Sequence, residues 1–121
     1  MRYALLIYES EEAWAQRSPE EIQAILGEYY AFGDSIKDRM RGGEALLPTV
    51  TGKTVSVRDG ERLVTDGPFA ETKEQLGGLY IVDTDTEEDA LEAAARIPSA
   101  RWGHVVVRAC QVFPDQPEHR A

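Results

Sequence analysis

The pattern of apolar and polar residues predicts strands near both ends of the chain. Residues 3–8 are apolar on both alternating faces, which is typical of a strand in a sheet with neither face left to water. Residues 104–113 form the last strand, in which Val105, Val107 and Ala109 would meet a helical layer. The opposite face of that strand carries His104, Val106, Arg108, Cys110 and Val112.

Two helices are indicated by their capping residues and their apolar spacing. Residues 18–21 read Ser-Pro-Glu-Glu, a capping box with proline at the first helical position and acidic residues at the positive end of the dipole. Apolar residues then recur every three or four positions over 22–40, which predicts an amphipathic helix ending before Gly42-Gly43. Thr86 caps a second helix, which Pro98 ends.

Turn residues predict a hairpin between the two helices. Residues 53–58 and 62–65 flank Asp59-Gly60, the dipeptide preferred in tight two-residue hairpin turns. A short strand is predicted at 44–47, where Pro48 ends it, and another at 79–82.

Leaving the hairpin aside, the order is strand, helix, strand, strand, helix, strand. This order predicts an α+β fold of the ferredoxin-like, split βαβ type, with two helices on one face of an antiparallel sheet and the hairpin inserted. We expect one domain over residues 1–113 and a loose tail over residues 114–121. The second sheet face is too apolar to be simply solvated, so we expect a homodimer in which two sheets face each other across a cleft.

Composition narrows the class of function. The chain has 121 residues and a formal net charge of -9, from 13 basic and 22 acidic residues, so a nucleic-acid backbone would be repelled. Cys110 is the only cysteine, which excludes an intramolecular disulfide and favours a cytoplasmic setting. The short apolar N-terminus and the absence of a long apolar run predict neither a signal peptide nor a membrane span.

One long run gives the chain a family resemblance. Residues 64–78 read Val-Thr-Asp-Gly-Pro-Phe-Ala-Glu-Thr-Lys-Glu-Gln-Leu-Gly-Gly, which resembles the signature of the DGPF proteins, a branch of the YCII-related family. Residues 93–98 and 103–108 resemble that family's helix end and closing strand. The resemblance implies a dimeric α+β barrel. Some relatives are proposed to use an early histidine with an acidic partner, but here no histidine precedes His104.

Several residues are candidates for chemistry, each with a structural alternative. Asp66 either turns the chain with Gly67 and Pro68 or acts as a base or substrate anchor at the cleft. His104 is either an ordinary strand residue or a general acid or base, with Arg108 on the same face to hold a carboxylate or enolate. Three further residues are candidates for substrate binding: Glu71, Lys73 and Tyr80. Lys73 would offset the acidity of the chain and favour a small anionic ligand.

Two functions remain open. The first is a cofactor-free lyase, isomerase or dehalogenase-like enzyme that transfers protons in the cleft, by analogy with other dimeric α+β barrels. The second is a non-catalytic module that senses a ligand or binds a partner, because relatives often accompany extracytoplasmic-function sigma factors. No phosphate-binding glycine loop, zinc-protease motif or serine-hydrolase motif occurs, and we expect no cofactor.

Overall fold

Residues 1–114, which the computed structural model describes, form a four-stranded antiparallel sheet, a separate two-stranded hairpin and three α-helices. In chain order the elements are β1 (Arg2–Glu9), α1 (Glu11–Ala15), α2 (Pro19–Ser35), β2 (Met40–Ala45), β3 (Lys53–Arg58), β4 (Glu61–Asp66), β5 (Gln75–Asp83), α3 (Glu87–Ala95) and β6 (His104–Ala109). Short 3-10 turns occupy Thr49–Thr51 and Pro98–Arg101.

The strand order in the main sheet is β2-β5-β1-β6, and each neighbouring pair is antiparallel. With the β3–β4 hairpin left aside, this is the ferredoxin-like arrangement, so the predicted fold class is confirmed. The hairpin lies between β2 and β5 along the chain, and it forms a separate sheet.

One face of the main sheet packs against helices α2 and α3. Tyr3, Leu5 and Ile7 alternate along β1 and are buried against side chains of both helices. Leu5 is completely buried, and burying a leucine side chain contributes about 1.5–3 kcal/mol. Small residues on α3, among them Ala90 and Ala93, let this helix lie close to the sheet.

The start of α2 follows the predicted capping box. The Ser18 side chain accepts a hydrogen bond from the Glu21 backbone at 3.1 Å, and the Glu21 carboxylate accepts one from the Ser18 backbone at 3.0 Å. The backbone hydrogen bond from Ser18 lowers the pKa of the Glu21 carboxyl group. Thr86 caps α3 with its side chain alone, which accepts a 3.1 Å hydrogen bond from the Asp89 backbone.

The predicted end of the first long helix was wrong. Helix α2 ends at Ser35, whose hydroxyl donates to the Phe32 carbonyl at 2.6 Å, a side-chain bond that competes with continuation of the helix. Ile36 remains buried, and Met40 reaches the same core from the first position of β2. The apolar spacing therefore marked core positions correctly but assigned the last of them to the wrong element.

The second strand was also misplaced, since β2 contains Gly42 and Gly43 instead of beginning after them. Gly43 pairs with Tyr80, and a Cβ atom on Gly43 would lie 2.8 Å from the Tyr80 ring. That ring packs edge-on against Phe32, with 5.3 Å between the ring centroids. Glycine at this position therefore makes room for an aromatic contact instead of ending a helix.

The hairpin prediction was confirmed, with Asp59 and Gly60 both at positive φ, 51° and 78°, as the tight turn requires. Strand β6 ends at Ala109, earlier than predicted. Helix α1 was not predicted; Ser10 caps it, accepting a 3.0 Å hydrogen bond from the Ala13 backbone. The predicted tail lies outside the described residues, apart from Pro114.

Candidate functional site

The sheet has a second face that carries no helix, which we call the open face. The strand registers place side chains opposite one another on it, because directly paired residues of antiparallel strands point to the same side. On β1, β5 and β6 its members are Arg2, Ala4, Leu6, Tyr8, Leu76, Leu79, Ile81, Asp83, His104, Val106 and Arg108. The apolar centre of this face is half-buried within the chain.

A histidine and a glutamate meet at one end of the open face. His104 Nδ1 lies 2.8 Å from Glu74 Oε1, while the His104 side chain is 77% exposed and the Glu74 side chain 30% exposed. A carboxylate bonded to Nδ1 favours the tautomer with the proton on that nitrogen, which leaves Nε2 with a free lone pair. The pair could therefore accept a proton at Nε2 while the carboxylate stabilises the resulting imidazolium.

The topology of the sheet explains why these two residues meet. Strands β5 and β6 both run antiparallel to β1, so they are parallel to each other and begin at the same end of the sheet. Tyr8 of β1 pairs with His104, and the next residue, Glu9, pairs with Gln75. Glu74, just before β5, is therefore brought across the end of β1 to His104.

Hydrogen bonds hold the segment before β5 in place. The Gln75 side chain donates to the Thr72 carbonyl and accepts from the Glu11 backbone at 2.9 Å. The Glu11 carboxylate in turn accepts from the backbone and the hydroxyl of Thr49, both at 2.7 Å. The segment that carries Glu74 is thus tied to α1 and to the segment that leads into the hairpin.

Arg108 is the basic residue on the open face of β6, and it pairs with Ala4 of β1. Within residues 1–114 its guanidinium has no carboxylate partner. It shares a face with His104, as the sequence predicted from their spacing. An exposed guanidinium beside the apolar residues Leu6 and Val106 is suited to bind a carboxylate.

Asp66 lies elsewhere, at the end of β4 in the separate hairpin sheet. It pairs with Lys53, whose Nζ donates to Asp66 Oδ1 at 2.6 Å, and the Asp66 side chain is 86% exposed. Gly67, at φ 80°, turns the chain after it. These contacts describe the corner at the base of the hairpin, and they do not join Asp66 to His104 or Arg108.

Glu71 and Lys73 line an open groove of about 780 Å³ beside the His104–Glu74 pair. Its other acidic residues are Glu11, Glu12 and Glu74. Lys73 is the basic residue among four carboxylates there, so the groove itself has negative charge. An anionic group would find a more favourable partner at Arg108 than in this groove.

Tyr80 lies on the helix-covered face, not on the open face. It pairs with Leu5, a core residue, and contacts the ring of Phe32. Burial raises the pKa of its phenol. The structure therefore places Tyr80 on the other side of the sheet from His104 and Arg108.

A polar network that the sequence did not indicate lies beneath the His104 end of the sheet. The Ser99 side chain is completely buried and donates to Glu9 Oε2 at 3.0 Å, and the Tyr29 hydroxyl lies 2.6 Å from the same Ser99 oxygen. Trp102 donates to the other Glu9 oxygen at 2.9 Å. Burial raises the pKa of Tyr29 despite its bond to Ser99. The network anchors the end of β1 to α2 and to the turn that leads into β6.

Sequence reasoning included His104 and Arg108 but did not include Glu74 among the site residues. Glu74 could have been inferred from the predicted fold, because that topology already places the starts of β5 and β6 at the same end of the sheet. Among residues 1–114 no three His, Cys, Asp or Glu side chains are grouped as a metal site would require. No helix in the same range is both long and apolar enough to cross a membrane.

Comparison with known proteins identifies the family of the chain. The family model of the YCII-related domain matches residues 1–114. An uncharacterised protein of Rhizobium meliloti (strain 1021), R00369, is 35% identical over 102 residues, which cover 83% of this chain and 82% of the relative. The family-model match includes the main sheet, the hairpin and the His104–Glu74 pair. The chain belongs to the YCII-related family.

Proposed function

We propose that the protein is a homodimer in which His104 and Glu74 transfer protons to and from a small organic anion, without a cofactor, in a cleft between two open faces. The observation that carries this proposal is the 2.8 Å contact between His104 Nδ1 and Glu74 Oε1 at the edge of an apolar sheet face. Through this contact Glu74 is an acidic partner for His104, which the sequence alone did not identify.

The dimer follows from the character of the open face. Leu6, Leu79 and Ile81 lie in the middle of it, and Val106 beside them is 41% exposed in one subunit. A two-fold axis would lay this face on its own copy, which removes apolar surface from both at once. Sedimentation velocity at micromolar concentration should give the mass of a dimer, and a monomer would exclude the cleft.

The proposed step is proton abstraction next to a carbonyl group. The C–H bond breaks, its electron pair moves into the enolate, and the proton goes to His104 Nε2. Glu74 stabilises the imidazolium that forms, because its carboxylate already contacts Nδ1. Return of the proton to carbon restores the neutral imidazole, so the step needs no co-reactant.

The separation of His104 and Arg108 constrains the ligand. They are four residues apart on one extended strand, so their Cα atoms are roughly 13 Å apart. Val106 lies between them and Leu6 is its cross-strand neighbour, so the intervening surface is apolar. The best ligand would therefore have a carboxylate at one end, an apolar middle and an acidic C–H group at the other.

Levulinate, and its homologues lengthened by one and two methylene groups, are suitable probes because their ketone and carboxylate are separated by an adjustable apolar segment. Deuterium exchange next to the ketone, followed by NMR in D₂O, should be catalysed by the wild type. The His104→Ala variant should lose on the order of 10²–10⁴-fold in rate.

Two further variants sharpen the experiment. Arg108→Gln should raise the concentration needed for half-maximal exchange, while Glu71→Gln, a change of the same kind in the neighbouring groove, should have little effect. Binding of the probes without exchange would favour the alternative function, a non-catalytic ligand-sensing module of the kind associated with sigma factors. Equal exchange by the wild type and His104→Ala would overturn the proposed role of the pair.

A further inference from the structure

The hairpin exposes an unusual amount of apolar surface. We call residues 53–66, which comprise β3, β4 and their turn, the arm. Of the fifteen large hydrophobic side chains exposed within residues 1–114, eight lie between residues 46 and 69. Val55 and Val57 on the arm are each 61% exposed, and Phe69 just after it is 91% exposed.

The arm has two different sides. Val55 pairs with Val64, and Val57 pairs with Arg62, so the valines share one side. Thr54 and Thr65 pair on the other, where the Thr54 hydroxyl donates to the Gly67 carbonyl at 2.8 Å. The valine side is therefore the apolar one.

A two-stranded hairpin with an uncovered apolar side is at best marginally stable in water. Val55, Val57 and Val64 are between 43% and 61% exposed, so the valine side offers on the order of 200 Å² of apolar surface. One side of a standard protein interface buries roughly 800 Å², somewhat more than half of it apolar. The valine side thus holds somewhat under half of the apolar area that one partner of a stable complex contributes.

The charges on the valine side fit a second copy of the same chain. Along β4, Arg62, Val64 and Asp66 alternate onto this side, and Lys53 of β3 lies on it as well, directly paired with Asp66. A two-fold axis near Val64 would place Arg62 of each copy against Asp66 of the partner subunit. Within residues 1–114 Arg62 has no carboxylate partner, and Asp66 uses only Oδ1 for Lys53.

The arm also has no net formal charge, although the whole chain is acidic. Its charged residues are Lys53, Arg58, Arg62, Asp59, Glu61 and Asp66. They cancel, whereas the whole chain has a net charge of -9. Self-association is least opposed by repulsion where the local charge is zero.

We infer that the arms of two subunits pack against each other through their valine sides, with Arg62 of each subunit paired to Asp66 of the partner. This contact extends the proposed homodimer beyond the open face, and in that respect rests on the proposed function. It also gives Asp66 a role in assembly instead of in the proton transfer.

Isotope-filtered NMR on the full chain tests the contact directly, using dimers mixed from ¹³C-labelled and unlabelled subunits. We expect intersubunit NOEs from the methyl groups of Val55, Val57 and Val64. Their absence, while Leu6 and Val106 give intersubunit NOEs, would overturn the arm contact and leave the open-face dimer intact. Arm NOEs without open-face NOEs would support the arm contact and contradict the proposed cleft.

A second test compares variants by the dissociation constant of the dimer, which sedimentation equilibrium measures. Val55→Asp should raise it at least about tenfold, as expected for a central interface residue. Thr65→Asp, which adds the same charge to the opposite side of the arm, is the matched control and should change it little. Arg62→Glu should also weaken the dimer. Equal dissociation constants for Val55→Asp and Thr65→Asp would overturn the inference.

Discussion

The backbone at Gly103 lies so close to the carbonyl oxygen of Tyr8 that a Cβ atom on residue 103 would overlap it. This contact occurs where β1 meets β6, one residue before His104, and Tyr8 is the residue that pairs with His104. The close approach therefore fixes the first residue of β6 relative to the end of β1.

Gly103→Ala should lower the free energy of unfolding by about 1–3 kcal/mol, because the new methyl group can be accommodated only if the strands separate. Gly27→Ala is the matched control. Gly27 lies within α2 with nothing within 4 Å of an added Cβ, so alanine there should raise the stability by up to about 1 kcal/mol. Chemical denaturation measures both, and equal effects would contradict the close contact.

The His104–Glu74 contact predicts the tautomer of the imidazole. In the wild type the neutral ring should carry its proton on Nδ1, since that nitrogen faces the carboxylate at 2.8 Å. Long-range ¹H–¹⁵N correlation spectra distinguish the two ring nitrogens. Glu74→Gln should weaken the preference for this tautomer and Glu71→Gln should not; a neutral ring protonated on Nε2 in the wild type would contradict the geometry.

The Lys53–Asp66 pair predicts that Asp66 takes no part in proton transfer. Asp66→Asn should leave both the His104 tautomer and the exchange activity unchanged. The variant and the wild type are compared at concentrations at which sedimentation gives both the same oligomeric mass. Loss of an exposed ion pair should change the free energy of unfolding by no more than about 1 kcal/mol. A large loss of exchange activity in the folded dimer would instead place Asp66 at the reacting group.

The raised pKa of Tyr29 predicts how the free energy of unfolding changes at alkaline pH. Burial raises its pKa above the ordinary value, so the folded protein retains the phenolic proton where the unfolded chain has lost it. The stability that this group contributes is full below about pH 10 and is lost as the pH rises through the folded pKa.

Tyr29→Phe should therefore lower the free energy of unfolding by about 1 kcal/mol at neutral pH, through loss of the bond to Ser99, and should make the alkaline decline shallower. Burial raises the pKa of Tyr80 as well, so part of the decline should remain. Tyr30→Phe, at a residue 75% exposed, is the control and should leave both the neutral stability and the slope nearly unchanged.

Local patterns in the sequence were sufficient where the interactions span only a few residues. The capping box at Ser18, the tight turn at Asp59 and the cap at Thr86 were all confirmed, because each depends on neighbours within about four positions. The same reasoning failed at Gly43, because this glycine is required by the ring of Tyr80, which is distant along the chain.

The sequence by itself determined the fold class, the hairpin and the shared face of His104 and Arg108, since residue periodicity and the order of the elements can be read along the chain. Only the tertiary structure decided the partners: Glu74 meets His104 from thirty residues away, Asp66 pairs with Lys53, and Tyr80 packs against the core. Such contacts depend on which strands become neighbours and on where each chain segment turns. A carboxylate in a charged loop gives no local sign of the side chain that it will reach.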